Sequence, residues 1–270
     1  MSGAPRKHLL LATLADPWPA IDRLTPEAGV DIALSPSWYT VGKVVVDYFV
    51  AILLLPIALP VIGLAAVAIK LTSAGPVFYT QTRTGLNGRR YRIFKVRTMH
   101  HNCELKSGIK WAGKHDDRVT PVGRFLRTTH LDELPQLFNV LMGDMSLVGP
   151  RPERPEVIHA KGLEHLVPGY RSRLLVKPGV TGLAQLQLPA DSDITSVRYK
   201  VVYDLYYVQN QGLLLDFRLM LATVIKTIGV GPRFIRRAFF LPNRDTVEEV
   251  FCRNLTAEDR NPPLTHLQPA

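Results

Sequence analysis

Cysteine is scarce in this 270-residue sequence, and acidic residues are outnumbered by basic ones. Cys103 and Cys252 are its two cysteines, and their separation matches no metal-binding spacing. Two cysteines also provide no disulfide framework, which favours a reducing compartment. No internal repeat is apparent. These absences exclude a disulfide-stapled domain and a cysteine-rich zinc domain.

The charge balance is strongly basic, with 33 Lys and Arg against 23 Asp and Glu, for a net charge of +10. Such a balance is typical of proteins that meet nucleic acid, an anionic membrane surface or phosphorylated substrates. The densest basic stretch, residues 83–97, contains no acid and follows an apolar segment. That position favours a solvated or lipid-facing surface, and nucleic acid is not an expected partner.

The two ends of the chain differ from its middle. Residues 1–39 contain five prolines and no sustained period, which predicts an N-terminal extension. Arg6-Lys7 and the short apolar run after it weakly resemble a signal peptide, but no cleavage site follows and none is expected. Residues 233–270 predict an interfacial segment, basic and aromatic, followed by a flexible tail from about residue 241.

The dominant apolar segment is Val44–Ile69, which contains one charge, Asp47, and has a lysine directly before and after it. About 20 apolar residues suffice to cross a bilayer, so a single spanning helix is one prediction. Pro56 and Pro60 favour another, because each proline bends a helix. In that case residues 40–72 form a re-entrant helix, and both lysines stay on the cytoplasmic side.

A β-hairpin is predicted after this segment. Val77–Arg83 and Tyr91–Met99 have strand composition, and residues 84–88 between them are typical of a turn. Lys95 and Arg97 share one face of the second strand, because side chains alternate along a strand.

Leu213–Ile228 has the period of an amphipathic helix. Packing on a core is the ordinary interpretation of its apolar face, and a position in the membrane interface is the alternative. The apolar face consists of Leu214, Phe217, Leu221, Val224, Ile225 and Ile228, and the polar face of Asp216, Thr223, Lys226 and Thr227.

Two adjacent acids, Asp132 and Glu133, stand at the start of a predicted helix that runs from near Leu131 to Met142 and ends at Gly143. Adjacent helical residues point about 100° apart, so one acid can face a phosphorus atom and the other a metal. Taken alone, such acids commonly only complement the helix dipole.

Other residues give this pair a context. Arg151 lies between two prolines, which stiffen its segment, and its planar guanidinium suits phosphate. Lys177–Val180 is a type II turn signal and is structural by default. Asp204 lies among aromatic residues, where it is either a buried structural acid or a second active-site acid.

The ordered set of motifs resembles the bacterial sugar transferase family, the small monotopic phosphoglycosyl transferases. The resemblance covers about residues 40–232. It rests on Gly75–Phe78, Phe94–Met99, Leu131–Val140, Gly143–Pro152, Lys177–Gly182 and Asp204–Tyr207.

The resemblance implies an α+β monotopic membrane enzyme with a re-entrant helix broken at Pro60 and a catalytic domain over residues 73–232. In that family the aspartate corresponding to Asp132 attacks the β-phosphate of a UDP-sugar, and UMP leaves. Polyprenyl phosphate then takes the sugar phosphate from the enzyme. The glutamate corresponding to Glu133 binds Mg²⁺.

The expected location is the bacterial inner membrane, with the catalytic domain on the cytoplasmic face, at the start of capsule, exopolysaccharide or O-antigen assembly. Two rivals remain: a glycosyl transferase that releases UDP, and a non-catalytic protein that binds anionic lipid. The residues expected to bind substrate are Lys95, Arg97, Arg127, Arg151 and Asp204.

Overall fold

The computed structural model describes residues 36–103 and 116–254. Within these ranges the chain is rich in helices and has two small sheets of two strands each, so the α+β class is confirmed at this level. Most of the predicted N-terminal extension, part of the loop after the hairpin and the last residues of the tail lie outside the described residues.

Helix α1, Ser37–Thr72, is the long apolar helix that the sequence predicts. It has 36 residues and is continuous through Pro56 and Pro60, so neither proline interrupts it with a non-helical segment. Each proline still lacks a backbone N–H and crowds the preceding turn, and a helix bends at such a position.

One side of α1 is buried along its whole length, while the other is exposed and apolar. The buried side includes small residues such as Ala51, Ala58 and Ala65, which let the helix approach the rest of the protein closely. The exposed side carries large side chains, among them Phe49, Leu53, Ile57, Leu64 and Leu71. An exposed apolar face of this length is typical of contact with lipid.

The predicted hairpin is confirmed. Strand β1, Phe78–Thr84, pairs antiparallel with β2, Arg90–Val96, in a register that places Tyr79 opposite Lys95. The turn uses Asn87 and Gly88, both with positive φ angles.

The segment around the two adjacent acids differs from the prediction. Helix α2, Pro121–Thr128, is followed by a single 3₁₀ turn, Leu131–Glu133, and only then by helix α3, Gln136–Leu141. The expected α-helix from Leu131 therefore begins at Gln136. The reason is Pro135, which is tolerated at a helix start and here occupies the N-cap. Gly143, with φ 80°, ends the helix as predicted.

The predicted type II turn at Lys177–Val180 is wrong. Gly179–Thr181 forms strand β4, which pairs in parallel with β3, Ser146–Val148. The backbones are so close here that a Cβ on Gly149 would lie 2.4 Å from the carbonyl oxygen of Lys177. Glycine is therefore needed here because two segments of the chain approach each other closely, and not because the chain turns.

The remaining helices surround these two sheets. Helix α7, Ile194–Asn210, is the central one: its Val201, Leu205 and Tyr207 are buried, and Asp193 caps its first turn. The others are α4 (Pro155–Ala160), α5 (Leu163–Leu166), a 3₁₀ segment (Tyr170–Leu175), α6 (Leu183–Gln187), α8 (Leu213–Thr227), α9 (Pro232–Ala238) and α10 (Arg244–Asn254).

The predicted mobile tail from about residue 241 is wrong for its first part, because α10 is a helix packed on α7. Val247 and Phe251 are buried, and the buried Glu248 pairs with Arg244 at 2.7 Å. Val247 and Phe251, four residues apart on one helix face, thus make a small apolar contact that the polar composition concealed.

Helix α8 has the predicted bounds to within one residue. Its apolar face, however, does not pack on the core. Leu214, Phe217 and Val224 are each more than half exposed. Asp216, from the predicted polar face, is 4% exposed. Core packing of the apolar face is therefore wrong, and an exposed apolar face is what the interfacial alternative requires.

Candidate active site

A cleft of about 1780 Å³ lies between α1, the hairpin, the 3₁₀ turn and α8. One part of its lining is charged and includes Lys95, Asp132, Glu133 and Arg151. Another part is apolar and comes from α1 and α8. The apolar lining includes Val50, Leu54, Ile57, Val61, Phe217, Leu221 and Val224. The cleft therefore has surfaces suited both to a charged molecule from water and to a lipid chain.

Glu133 is held by two cations at the charged part of the cleft. Its Oε1 accepts from Lys95 Nζ at 2.6 Å and from Arg151 Nη2 at 3.0 Å. Burial opposes ionisation of this carboxyl, but Arg151 and Lys95 outweigh it and hold its pKa below the usual range. Glu133 is therefore ionised at neutral pH.

Asp132 differs from its neighbour although the two are adjacent. Its side chain is 7% exposed, lines the cleft and makes no ion pair or hydrogen bond with any residue that the structure describes. Burial raises the pKa of Asp132 to about 6, against the opposing effect of Lys95. At neutral pH it is therefore mostly a carboxylate with both oxygens available for reaction.

The 3₁₀ turn places these two neighbouring acids in different surroundings. His130 directly before it has φ 56°, a left-handed conformation that reverses the chain after α2. The buried Asn139 on α3 accepts from the backbone N–H of Phe94 and donates to the carbonyl of Arg92. This side chain fixes α3 against β2 and so places Glu133 within reach of Lys95.

Arg151 is supported from behind by two residues. Arg173 donates to the backbone carbonyl of Arg151 at 2.8 Å and forms an ion pair with Asp204, with 2.6 Å between Nη2 and Oδ2. Burial raises the pKa of Asp204 to about 6, although Arg173 opposes this. The structure therefore places Asp204 behind the cleft, against Arg173, and does not bring it to the cleft lining with the other expected substrate-binding residues.

Arg97 and Arg127 line the cleft, and neither is paired with a carboxylate within the described residues. The Arg97 guanidinium donates to the carbonyls of Ser73 and Ala74, just after the last turn of α1. Arg127 Nε donates to Thr98 Oγ1 at 2.8 Å. Arg97 thus fixes the end of α1, and Arg127 remains close enough to Asp132 to lower its pKa.

Two features of the site were not predicted. Lys226 and Lys200 both line the cleft, and Lys200 pairs there with Asp191 at 2.8 Å. The only sequence signal for Lys226 was its place on the polar face of an amphipathic helix, which does not distinguish a solvent surface from a cleft. For Lys200 there was no signal.

A buried polar cluster joins the start of α1 to α8. Asp216 accepts from Tyr39 at 2.7 Å, from Lys43 at 2.8 Å and from Tyr207 at 2.7 Å. Asp47 accepts from the backbone N–H of Leu147 in β3 at 3.2 Å. Asp47, the single charged residue inside the apolar segment, thus attaches α1 to the body of the protein.

Comparison with known proteins gives matches over most of this structure. The sequence matches the family described as bacterial sugar transferase over residues 38–229. A UDP-glucose:undecaprenyl-phosphate glucose-1-phosphate transferase of Xanthomonas campestris pv. campestris is 38% identical over 205 residues, 75% of this chain. A UDP-N-acetylgalactosamine-undecaprenyl-phosphate N-acetylgalactosaminephosphotransferase of Aeromonas hydrophila is 42% identical over 185 residues, 68% of this chain.

This chain spans less than half of each of these two relatives, 41% and 43% of their lengths. A shorter relative, an exopolysaccharide production protein of Rhizobium leguminosarum bv. phaseoli, is matched over 96% of its length and 70% of this chain, at 39% identity. The family resemblance inferred from the sequence is confirmed by these matches. The chain belongs to the bacterial sugar transferase family.

Proposed function

We propose that this chain transfers a sugar 1-phosphate from a UDP-sugar to a polyprenyl phosphate, with Asp132 as the nucleophile. The observation that carries the proposal is the contrast between two adjacent acids in one cleft. Glu133 is held by Lys95 and Arg151, whereas the carboxylate of Asp132 has no partner within the described residues. A buried, unpaired carboxylate beside two cations is poised to attack an anionic phosphorus centre.

The reaction has two displacements. In the first, an oxygen of Asp132 bonds to the β-phosphorus, the bond from this phosphorus to the bridging oxygen breaks, and UMP leaves with that oxygen. In the second, a phosphate oxygen of the lipid bonds to the same phosphorus and the bond to Asp132 breaks. Lys95 and Arg151 offset the charge on the phosphoryl oxygens in both displacements.

Glu133 also fits a role in holding Mg²⁺. Both ion pairs use Oε1, so Oε2 accepts no hydrogen bond from a described residue. The described residues contain no cluster of three or more metal-binding side chains, but Mg²⁺ commonly takes one or two carboxylates and completes its shell with water and substrate phosphates. Bound at Glu133, the ion would neutralise charge on the diphosphate.

The membrane position that we propose is monotopic, on the cytoplasmic face of the bacterial inner membrane. Both ends of α1 contact the same body: Lys43 reaches Asp216 near its start, and Arg97 holds the carbonyls after its end. The exposed apolar faces of α1 and α8 support contact with one leaflet. This arrangement lets a nucleotide sugar enter from water and the polyprenyl chain enter from lipid.

Nucleotide release tests the proposal. Purified enzyme is mixed with Mg²⁺, polyprenyl phosphate and a panel of donors that includes UDP-glucose and UDP-N-acetylgalactosamine. We expect UMP release with one or more donors, and its loss by at least a thousandfold in Asp132→Asn, because removal of a nucleophile costs on the order of 10³ or more. Asp245→Asn, on an exposed carboxylate of α10 outside the cleft, is the matched control.

Other outcomes would indicate a different function or mechanism. Release of UDP would indicate transfer of the sugar without its phosphate. Normal UMP release by Asp132→Asn would contradict the nucleophile. No release from a wide donor panel would favour a protein that only binds the membrane surface.

A further inference from the structure

Lys226 occupies an unusual place on helix α8. The outer face of this helix is apolar and exposed, with Phe217, Leu221 and Val224 at the edge of the cleft. Lys226 follows on the same helix and also lines the cleft. It is therefore a cation carried by the element that borders both the proposed lipid surface and the active-site cleft.

The partners of Lys226 leave its charge uncompensated. Its Nζ donates to the backbone carbonyl of Gln185 and pairs with no carboxylate within the described residues. By contrast, Lys95 and Arg151 are paired with Glu133, and Lys200 is paired with Asp191. A carbonyl dipole is a weak partner for a full charge, so this ammonium retains capacity to bind an anion.

The charged neighbours of Lys226 are Arg151, Lys200 and Glu133, all of which line the same cleft. Burial lowers its pKa first, then the positive charges of Arg151 and Lys200, while Glu133 acts in the opposite direction. Two cations repel the ammonium and one carboxylate attracts it. A phosphate arriving at this point would relieve that repulsion, so the site favours an anion.

We propose that Lys226 binds the phosphate of the polyprenyl acceptor. The inference rests on the proposed function and adds the acceptor site to it. The prenyl chain would lie along the apolar lining from α1 and α8, and its phosphate would meet Lys226 where that lining gives way to charged residues. From there the phosphate faces the phosphosugar carried by Asp132. The donor diphosphate has its own cations, Lys95 and Arg151.

The alternative is that Lys226 has only a structural role, which the experiment must distinguish from acceptor binding. The bond from Lys226 to Gln185 joins α8 to α6, and its loss alone could loosen the cleft. Such a role would lower stability and affect both substrates. An acceptor site predicts an effect on one substrate alone.

The test separates the two displacements in Lys226→Met and Lys226→Arg. UMP released by enzyme and donor alone reports the first, and turnover with undecaprenyl phosphate in detergent micelles reports the second. For Lys226→Met we expect the acceptor KM to rise by on the order of tenfold or more, since a charged hydrogen bond is lost. We expect the donor KM and the burst of UMP without acceptor to change by less than about twofold. Lys226→Arg should retain most of the acceptor affinity.

Arg218→Gln is the matched control, because it removes one positive charge from the same helix outside the cleft lining. It should change neither KM. Inhibition by undecaprenol, which lacks the phosphate, should be equal in wild type and Lys226→Met, as the prenyl chain does not meet the ammonium.

Four outcomes would overturn the proposal: an unchanged acceptor KM, a rise in the donor KM, an equal loss in Arg218→Gln, or a fall in thermal stability that Lys226→Arg does not repair. The failure of the proposed function would look different. In that case wild-type enzyme itself would release no UMP from any donor.

Discussion

At the scale of single residues, the position of Arg151 depends on a buried ion pair, Arg173 with Asp204, that lies outside the cleft lining. Arg173 links Asp204 to the backbone of Arg151, whose guanidinium in turn holds Glu133. Both Arg173 and Asp204 are nearly inaccessible to water. The interior of the protein thus holds the backbone that carries Arg151.

Asp204→Asn should be strongly destabilising, because it leaves Arg173 charged and buried. The expected loss is about 3–5 kcal/mol, measured by denaturant unfolding in detergent. The double variant Arg173→Met, Asp204→Leu should recover most of this stability. It should still release UMP slowly, since nothing then holds the carbonyl of Arg151. Full activity of the double variant would contradict the positioning role of Arg173.

Asp132 and Asp204 show how much of the site could be predicted from the sequence. Asp132 was predicted as an active-site acid, because its motif lies in a sequence context that contains cations suited to phosphate. Asp204 was equally consistent with a buried structural acid and with an active-site acid. Only the packing of α7 against the 3₁₀ segment shows that Arg173 is its partner.

At the scale of elements, α8 exposes its more apolar face and buries Asp216 beside Leu219 and Ala222 on the other side. Hydropathy predicted both faces and the bounds, but it could not say which face meets the protein. In water the apolar face turns inward, whereas next to lipid it can turn outward. Here Tyr39, Lys43 and Tyr207 provide the inner partners that make burial of Asp216 possible.

Spin labels at two positions of α8 test this orientation. Phe217→Cys and Val224→Cys, in a Cys103→Ser, Cys252→Ser background, should be accessible to oxygen and protected from a water-soluble nickel complex in lipid vesicles. Burial of each such side chain in lipid is worth about 1.5–3 kcal/mol, which favours this orientation. The exposed Lys161→Cys should show the opposite pattern. Nickel accessibility at all three sites would contradict an interfacial α8.

At the scale of the whole molecule, α1 is too long for a simple crossing and is attached at both ends. Its 36 residues correspond to about 54 Å of helix, against about 30 Å for a hydrocarbon core. A crossing helix would have its two ends on opposite sides of the membrane. Tyr39 and Asp47 at one end, and the carbonyls held by Arg97 at the other, all contact one folded body.

Labelling from each side of the membrane tests this topology. Trp38→Cys and Thr72→Cys, each in the cysteine-free background, are treated with an impermeant maleimide in inverted and in right-side-out vesicles. Both should react in inverted vesicles and neither in right-side-out ones. Reaction of Trp38→Cys from the outside alone would show a spanning helix and end the monotopic proposal.

The bond between Tyr39 and Asp216 also has a consequence for the order of synthesis. These residues are 177 positions apart, and Lys43 is 173 positions from the same carboxylate. A ribosome that has just completed α1 has yet to translate the partner of its first turn. At that moment Lys43 and Asp47, one turn apart, can pair with each other, whereas Asp216 has not been translated. If α1 lies in the membrane as proposed, it meets lipid before its attachment to α8 exists, and its final position is fixed only when α8 has been translated.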